Sequence, residues 1–194
     1  MFFALMFPQV NFSLDVYEEF RGSRIILLKL INGKGVKLNT EDFSFCEVKI
    51  LGKFLEPEYW KDLQDTYFSV QGTDLPFFTF IYKKGNFQKT VKVYGPPNFP
   101  EKIKEVFLAI KDAKCGREVK PKVIVLFWER VYVRRIATPI GDFGELVGKD
   151  ILKGKDALKG YEFLKKYGPY LIRDGIFADG KGNTYMVGVK DIGF

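Results

Sequence analysis

The spacing of apolar positions divides the chain into strands joined by tight turns and a few helices. Residues 24–31 (RIILLKLI) are a dense run of β-branched and leucine side chains ending at Asn32-Gly33-Lys34-Gly35. Glycine there supplies the positive φ of a tight turn, so with Val36-Lys37-Leu38 the segment predicts a hairpin. Over residues 43–51, Phe43, Phe45, Glu47 and Lys49 alternate with Ser44, Cys46, Val48 and Ile50, and the second set makes the better core face. Residues 77–82 and 87–94 flank Lys83-Lys84-Gly85-Asn86 and predict a second hairpin, with Val91 and Val93 on its buried side. The longest strand-like run is 123–136, and 175–178 and 184–189 predict two short strands around Asp179-Gly180-Lys181-Gly182-Asn183.

Three segments have helical spacing. Glu56-Pro57-Glu58 suits a helix start, because proline fixes φ and carboxylates meet the positive end of the helix dipole. Tyr59, Trp60, Leu63 and Tyr67 then predict a helix ending near Ser69. Asn98 with Glu101 approximates a capping box ahead of Ile103, Val106, Phe107 and Ile110, an apolar stripe that stops at Gly116. Residues 155–167 turn Ala157, Leu158, Tyr161 and Leu164 inward and predict a helix terminated by Gly168-Pro169. Strands in runs, interrupted by about three helices, predict an α+β fold with mainly antiparallel sheet. The polar stretch 117–122 with Pro121 marks the boundary between an antiparallel α+β unit, 1–116, and a smaller basic β-rich unit with one helix, 117–194. The same pattern also allows the two units to pack as one continuous domain.

Composition narrows the chemistry. The 194 residues include no histidine, which removes Ser-His and Cys-His nucleophile pairs and the commonest zinc ligand. The net charge of +7 lies almost wholly beyond residue 110, where 17 Lys and Arg face 11 Asp and Glu. A basic half invites an anionic partner such as nucleic acid or a phospholipid surface, while a lysine-rich solvated surface is the plainer reading. Cys46 and Cys115 have no C-x-x-C spacing, and the sequence leaves open whether they pair or stay as free thiols. No stretch approaches the roughly 18 apolar residues of a membrane span, so the expectation is a cytoplasmic chain with no integral membrane segment. A secreted mature chain whose leader was removed is the alternative. Charged residues are frequent and Asn and Gln scarce, a bias compatible with heat adaptation.

Trp60, Leu63 and Tyr67, then Thr73-Asp74 and Pro76, then Lys89, Val91 and Tyr94, then Pro97 with Ile103, Phe107 and Ile110 form a pattern of moderate specificity over residues 22–113. In that pattern the chain resembles an uncharacterised bacterial domain family of hypothetical proteins, a domain of unknown function. The resemblance implies a fold grouping and, since members have no assigned activity, no catalytic residue. The family's usual opening has a cysteine pair near Pro-x-Tyr, and this chain has no such pair before residue 46.

The segment richest in candidate chemistry is 123–135. In an extended strand one face interleaves Trp128 and Tyr132 with Arg130 and Arg134, rings that can stack on bases beside guanidinium groups that can meet phosphates. Lys120 and Lys122 extend the positive track. The plainer reading is a sheet face where arginine stems lie over rings in water. The leading expectation is a non-enzymatic binding or interaction protein whose partner is nucleic acid or another protein, with no cofactor, metal or catalytic residue assigned. The alternative is a small carboxylate- or metal-dependent hydrolase built on Asp62 and Asp65, with Asp74, or on Asp142, Glu145 and Asp150. Gly141, Gly144 and Gly148 lack the lysine and hydroxyl of a phosphate-binding loop.

Overall fold

The computed structural model describes residues 11–20, 22–68, 75–95, 99–130, 151–173, 176–178 and 184–194. Strands β1 (Phe12–Phe20), β2 (Ser23–Ile31), β3 (Lys34–Asn39), β4 (Ser44–Lys49), β5 (Thr66–Phe68), β6 (Phe77–Lys84) and β7 (Phe87–Tyr94) form a seven-stranded sheet in the order β4-β3-β2-β1-β6-β7-β5. Strands β8 (Val123–Arg130), β9 (Ile151–Lys153), β10 (Ile176–Ala178) and β11 (Thr184–Gly193) form a second sheet in the order β10-β11-β8-β9. All these pairs are antiparallel except β5 with β7. Helices α1 (Pro57–Lys61), α2 (Glu101–Asp112) and α3 (Lys155–Arg173) complete an α+β fold.

The two hairpins form where the turn residues place them. Asn32 and Gly33 both take positive φ, 50° and 78°, which joins β2 to β3 without splaying the strands. Strand β1 lies at the centre of the large sheet although Asp15, Glu18 and Glu19 interrupt its apolar pattern; Leu14 and Val16 are fully buried. The helix expected to run from Glu56 to Ser69 is shorter. It ends at Lys61, and Tyr67 belongs to β5, where parallel pairing with β7 replaces helical bonds. Trp60 and Leu63 are buried as expected, Trp60 stacking on Tyr82 at 5.5 Å and donating its indole N–H to the Phe54 carbonyl at 2.7 Å.

The N-cap of α2 is Pro100, which has no side-chain oxygen to offer; Asn98 lies outside the described residues. Helix α3 continues through Gly168-Pro169, where a stop was expected. A Cβ at Gly168 would collide with the Phe43 ring, so glycine there serves close helix–strand approach instead of termination.

A single hydrophobic core joins both halves of the chain. On the inner face of the large sheet, Leu14, Val16, Leu28, Phe80, Val91 and Val93 pack beneath α1 and α2. Phe45 packs against Tyr161 of α3 and the terminal Phe194, with ring centroids 6.0 and 5.0 Å away. Its backbone N–H donates to the Tyr161 hydroxyl at 2.9 Å. Both faces of β4 are therefore covered, which is why Phe45 and Cys46 are buried alike.

Residues 116–119, part of the polar stretch read as a boundary, lie against the outer edge of β4. Gly116 N–H donates to the Glu47 carbonyl, Glu47 N–H to the Arg117 carbonyl and Val119 N–H to the Phe45 carbonyl, each at 2.8 Å. Cys46 and Cys115 pair in a disulfide, Cα to Cα 5.4 Å, across a sequence separation of 69 residues. Closing a loop of that length removes about 4 kcal/mol of unfolded-chain entropy on the loop-closure account.

Helix α2 is tied to the sheet at its C-terminus by a buried cation. Lys37 of β3 donates from Nζ to the carbonyls of Ile110 at 3.0 Å and Lys111 at 3.2 Å, and to that of Ala113. These are orphan carbonyls at the negative end of the helix, where an ammonium is favoured, although burial lowers the pKa of Lys37. We predict that Lys37→Met, which keeps the stem and removes the three donors, costs about 2 kcal/mol. In thermal unfolding this is a fall of roughly 4–8 °C in Tm; an unchanged Tm contradicts the role given to the ammonium.

Candidate surface on the open sheet face

Register places a row of aromatic and charged side chains on the outer face of the large sheet. Arg24, Glu19, Phe77, Tyr94 and Phe68 are successive cross-strand partners on β2, β1, β6, β7 and β5. Phe77 and Tyr94 lie 4.6 Å apart and Tyr94 and Phe68 6.0 Å, and Phe68 is 74% exposed. The row opens into a cleft of about 620 Å³ that Leu75 and Lys190 of β11 also line.

One end of the cleft is polar. The Arg24 guanidinium sits 3.7 Å above the Tyr17 ring, and its Nε is 3.3 Å from Glu19 Oε1. That approach is not aligned as a hydrogen bond, so Arg24 Nε has no acceptor although it is buried. Glu19 Oε2 accepts from Thr79 Oγ1 at 2.7 Å. Burial first, and then the Asp15 carboxylate, raises the pKa of Tyr17. Such a wall offers rings for stacking and two cations, Arg24 and Lys190, the first of them beside the Glu19 carboxylate.

The residues singled out from sequence fall differently. Lys120 and Lys122 are exposed, and Lys122 N–H donates to the Gly193 carbonyl at 2.8 Å. In the backbone, Trp128 pairs with Val187 and Arg130 with Tyr185, so β8 is extended as far as Arg130. The side chains of Trp128 and Arg130, and the whole of Tyr132 and Arg134, lie outside the described residues. So do Asp74, Asp142, Glu145, Asp150, Gly141, Gly144 and Gly148.

Asp62 and Asp65 are not on a shared helical face, because α1 ends before them. Asp62 Oδ2 is 4.0 Å from Lys102 Nζ, and Asp65 Oδ1 is 2.6 Å from Lys89 Nζ. Among the described residues no three Asp, Glu or Cys side chains converge as a metal site would require. No helix among them is long and apolar enough to cross a membrane. Sequence reasoning missed the row from Arg24 to Phe68, because its members are scattered between positions 19 and 94 and only strand register assembles them.

Comparison with protein-family models, with curated proteins and with solved structures finds no match to this chain. The role of the surface is therefore argued from its own geometry.

On the opposite face of the sheet from this row, Glu18 stands across from Ile25 and Phe78, both buried, and burial raises its pKa above 4.5. Its folded pKa exceeds the unfolded one, so the folded state holds the proton more tightly and stability falls as pH rises through the window above 4.5. Glu18→Gln is predicted to raise Tm at pH 7 and to leave it unchanged at pH 3.5, where the wild-type carboxyl is mostly protonated in both states. A Tm gain of equal size at both pH values contradicts the titration.

Proposed function

We propose that the protein is a non-enzymatic binding module for single-stranded nucleic acid, with bases stacking on Phe77, Tyr94 and Phe68 and phosphates meeting Arg24 and Lys190. The observation that carries this reading is the aromatic row ending in a cleft that Arg24 and Lys190 line. Stacking on a sheet face tolerates any base, and guanidinium and ammonium groups supply the salt-sensitive share of affinity. Trp128, Arg130, Tyr132 and Arg134, with Lys120 and Lys122, belong to the same reading on their chemistry, rings for stacking beside cations for phosphates.

Among the described residues nothing favours the hydrolase alternative: Asp62 and Asp65 each sit beside a different lysine, and Asp74, Asp142, Glu145 and Asp150 lie outside them. The Cys46–Cys115 bridge fits an oxidising compartment, as for a secreted mature chain, and fits the cytoplasm of a heat-adapted cell, to which the charge-rich composition is also suited.

Fluorescence anisotropy with a labelled oligo-dT tests the reading. Tyr94→Ala is predicted to weaken binding by about 1–3 kcal/mol, roughly 5- to 150-fold. Arg130→Ala with Arg134→Ala should lower affinity and flatten its salt dependence. Absence of salt-sensitive binding by the wild type, or a Tyr94→Ala variant that binds as tightly, overturns the proposal.

A further inference from the structure

The same sheet face continues away from the aromatic row into a field of lysines. Lys49 of β4 stands directly opposite Lys34 of β3, and along that row Ser13 of β1 stands opposite Lys83 of β6. Lys29 of β2 lies one row inward, opposite Asp15. Lys29, Lys34, Lys49 and Lys83 are all exposed. Strands spaced about 4.8 Å apart spread this array over roughly 19 Å from β4 to β6.

Directly opposed like charges destabilise a strand pair. The nearby carboxylates do little to relieve Lys34 and Lys49. Glu47 is engaged by Arg117 Nη2 at 2.8 Å, and Asp15 feels Lys29 and Lys83 while its own burial raises its pKa. Among the described residues neither Lys34 nor Lys49 has a carboxylate at ion-pair distance. Both line a shallow cleft of about 820 Å³ with Lys114. A row of anionic groups laid across them would relieve the repulsion that the fold leaves standing.

We infer that this field is the track for the phosphate backbone of a single-stranded nucleic acid, entering at Lys34, Lys49 and Lys114 and crossing Lys29 and Lys83. The inference rests on the nucleic-acid reading above and assigns the backbone a path that the aromatic row alone does not provide. It requires an extended polyanion, since a single phosphate cannot span the array.

The test compares wild type, Lys34→Ala/Lys49→Ala, Lys34→Arg/Lys49→Arg and Tyr94→Ala, using labelled oligo-dT and, as a base-free chain, inorganic polyphosphate. Thermal unfolding checks that each variant folds. Loss of two phosphate contacts should reduce the slope of log affinity against log salt by about 1.4 for oligo-dT. The arginine variant should restore the slope. Polyphosphate should bind wild type and Tyr94→Ala alike and bind the alanine pair at least 10-fold more weakly.

An unchanged slope in the folded alanine pair overturns the track even where Tyr94→Ala weakens oligo-dT, in which case the aromatic reading stands. Polyphosphate lost on the alanine pair, with oligo-dT unbound or indifferent to Tyr94→Ala, overturns nucleic acid as the occupant and leaves a polyanion site. Retention on phosphatidylserine vesicles with neither chain bound overturns both and assigns the face to a membrane surface.

Discussion

The docking of the C-terminal half on one corner of the large sheet determines what the rest of the surface can do. The contact runs from β2, against which β11 packs, to β4. Phe45 of β4 gives a backbone N–H to Tyr161 and a ring to Tyr161 and Phe194, while Phe43 lies against Gly168. Burial pushes the Tyr161 hydroxyl well above its usual pKa, so it remains a neutral phenol able to accept from Phe45 and donate to Glu118. Tyr161 and Phe194 cover Phe45 on the outer face of β4 and β11 packs on β2, while Lys49, Lys83 and Phe68 farther out on that face stay exposed. An antiparallel sheet with one open face is stable when that face is polar or mixed; here it carries lysines, threonines and a short aromatic row.

The edge of the sheet is closed by the same part of the chain. Residues 116–119 lie along β4, and the disulfide fixes their start to Cys46. An uncovered edge invites pairing with another chain, so this strap both joins the two halves and removes a site of association. The opposite edge is short, three residues of β5. Lys37 completes the frame from inside by holding the end of α2 from which the strap departs.

Much of the fold was legible because local chemistry and global structure agree. The Asn32-Gly33 turn, the hairpin at Gly85 and the stripe of Ile103, Val106 and Ile110 each carry their own signal. Strand β1 was not legible, because Asp15, Glu18 and Glu19 hide its alternation; the sheet tolerates them by pairing Glu19 with Arg24 and Thr79 and by letting burial keep Asp15 and Glu18 easier to protonate. Tyr67 matched a helical stripe beginning at Trp60, yet parallel pairing with β7 won over a helix whose body is only five residues. The state of Cys46 and Cys115 depended on folding bringing two distant positions within 5.4 Å, which spacing cannot encode. The candidate surface was the least legible feature. A run such as 123–135 displays rings and guanidinium groups in consecutive order, whereas Arg24, Phe77, Tyr94 and Phe68 acquire a common face only through the register of five strands.

Charge distribution completes the synthesis, because the linear and spatial patterns differ. Counted along the chain, the first 110 residues are nearly neutral and the excess charge lies beyond them. Folding separates signs that sequence mixes. Glu47 is engaged by Arg117, and Glu56, Glu58 and Glu105 hold Lys84, Lys61 and Lys53. Lys29, Lys34, Lys49 and Lys83 emerge together on the outer face, where adjacent strands bring them closer than their positions in the chain suggest. Locally summed charge, not net charge, sets the potential an approaching polyanion meets within a screening length of about 8 Å at physiological salt. The near-neutral half of the chain therefore presents a strongly patterned electrostatic surface, with the lysines and the aromatic row at two ends of one sheet face, six residues apart along β6 from Lys83 to Phe77.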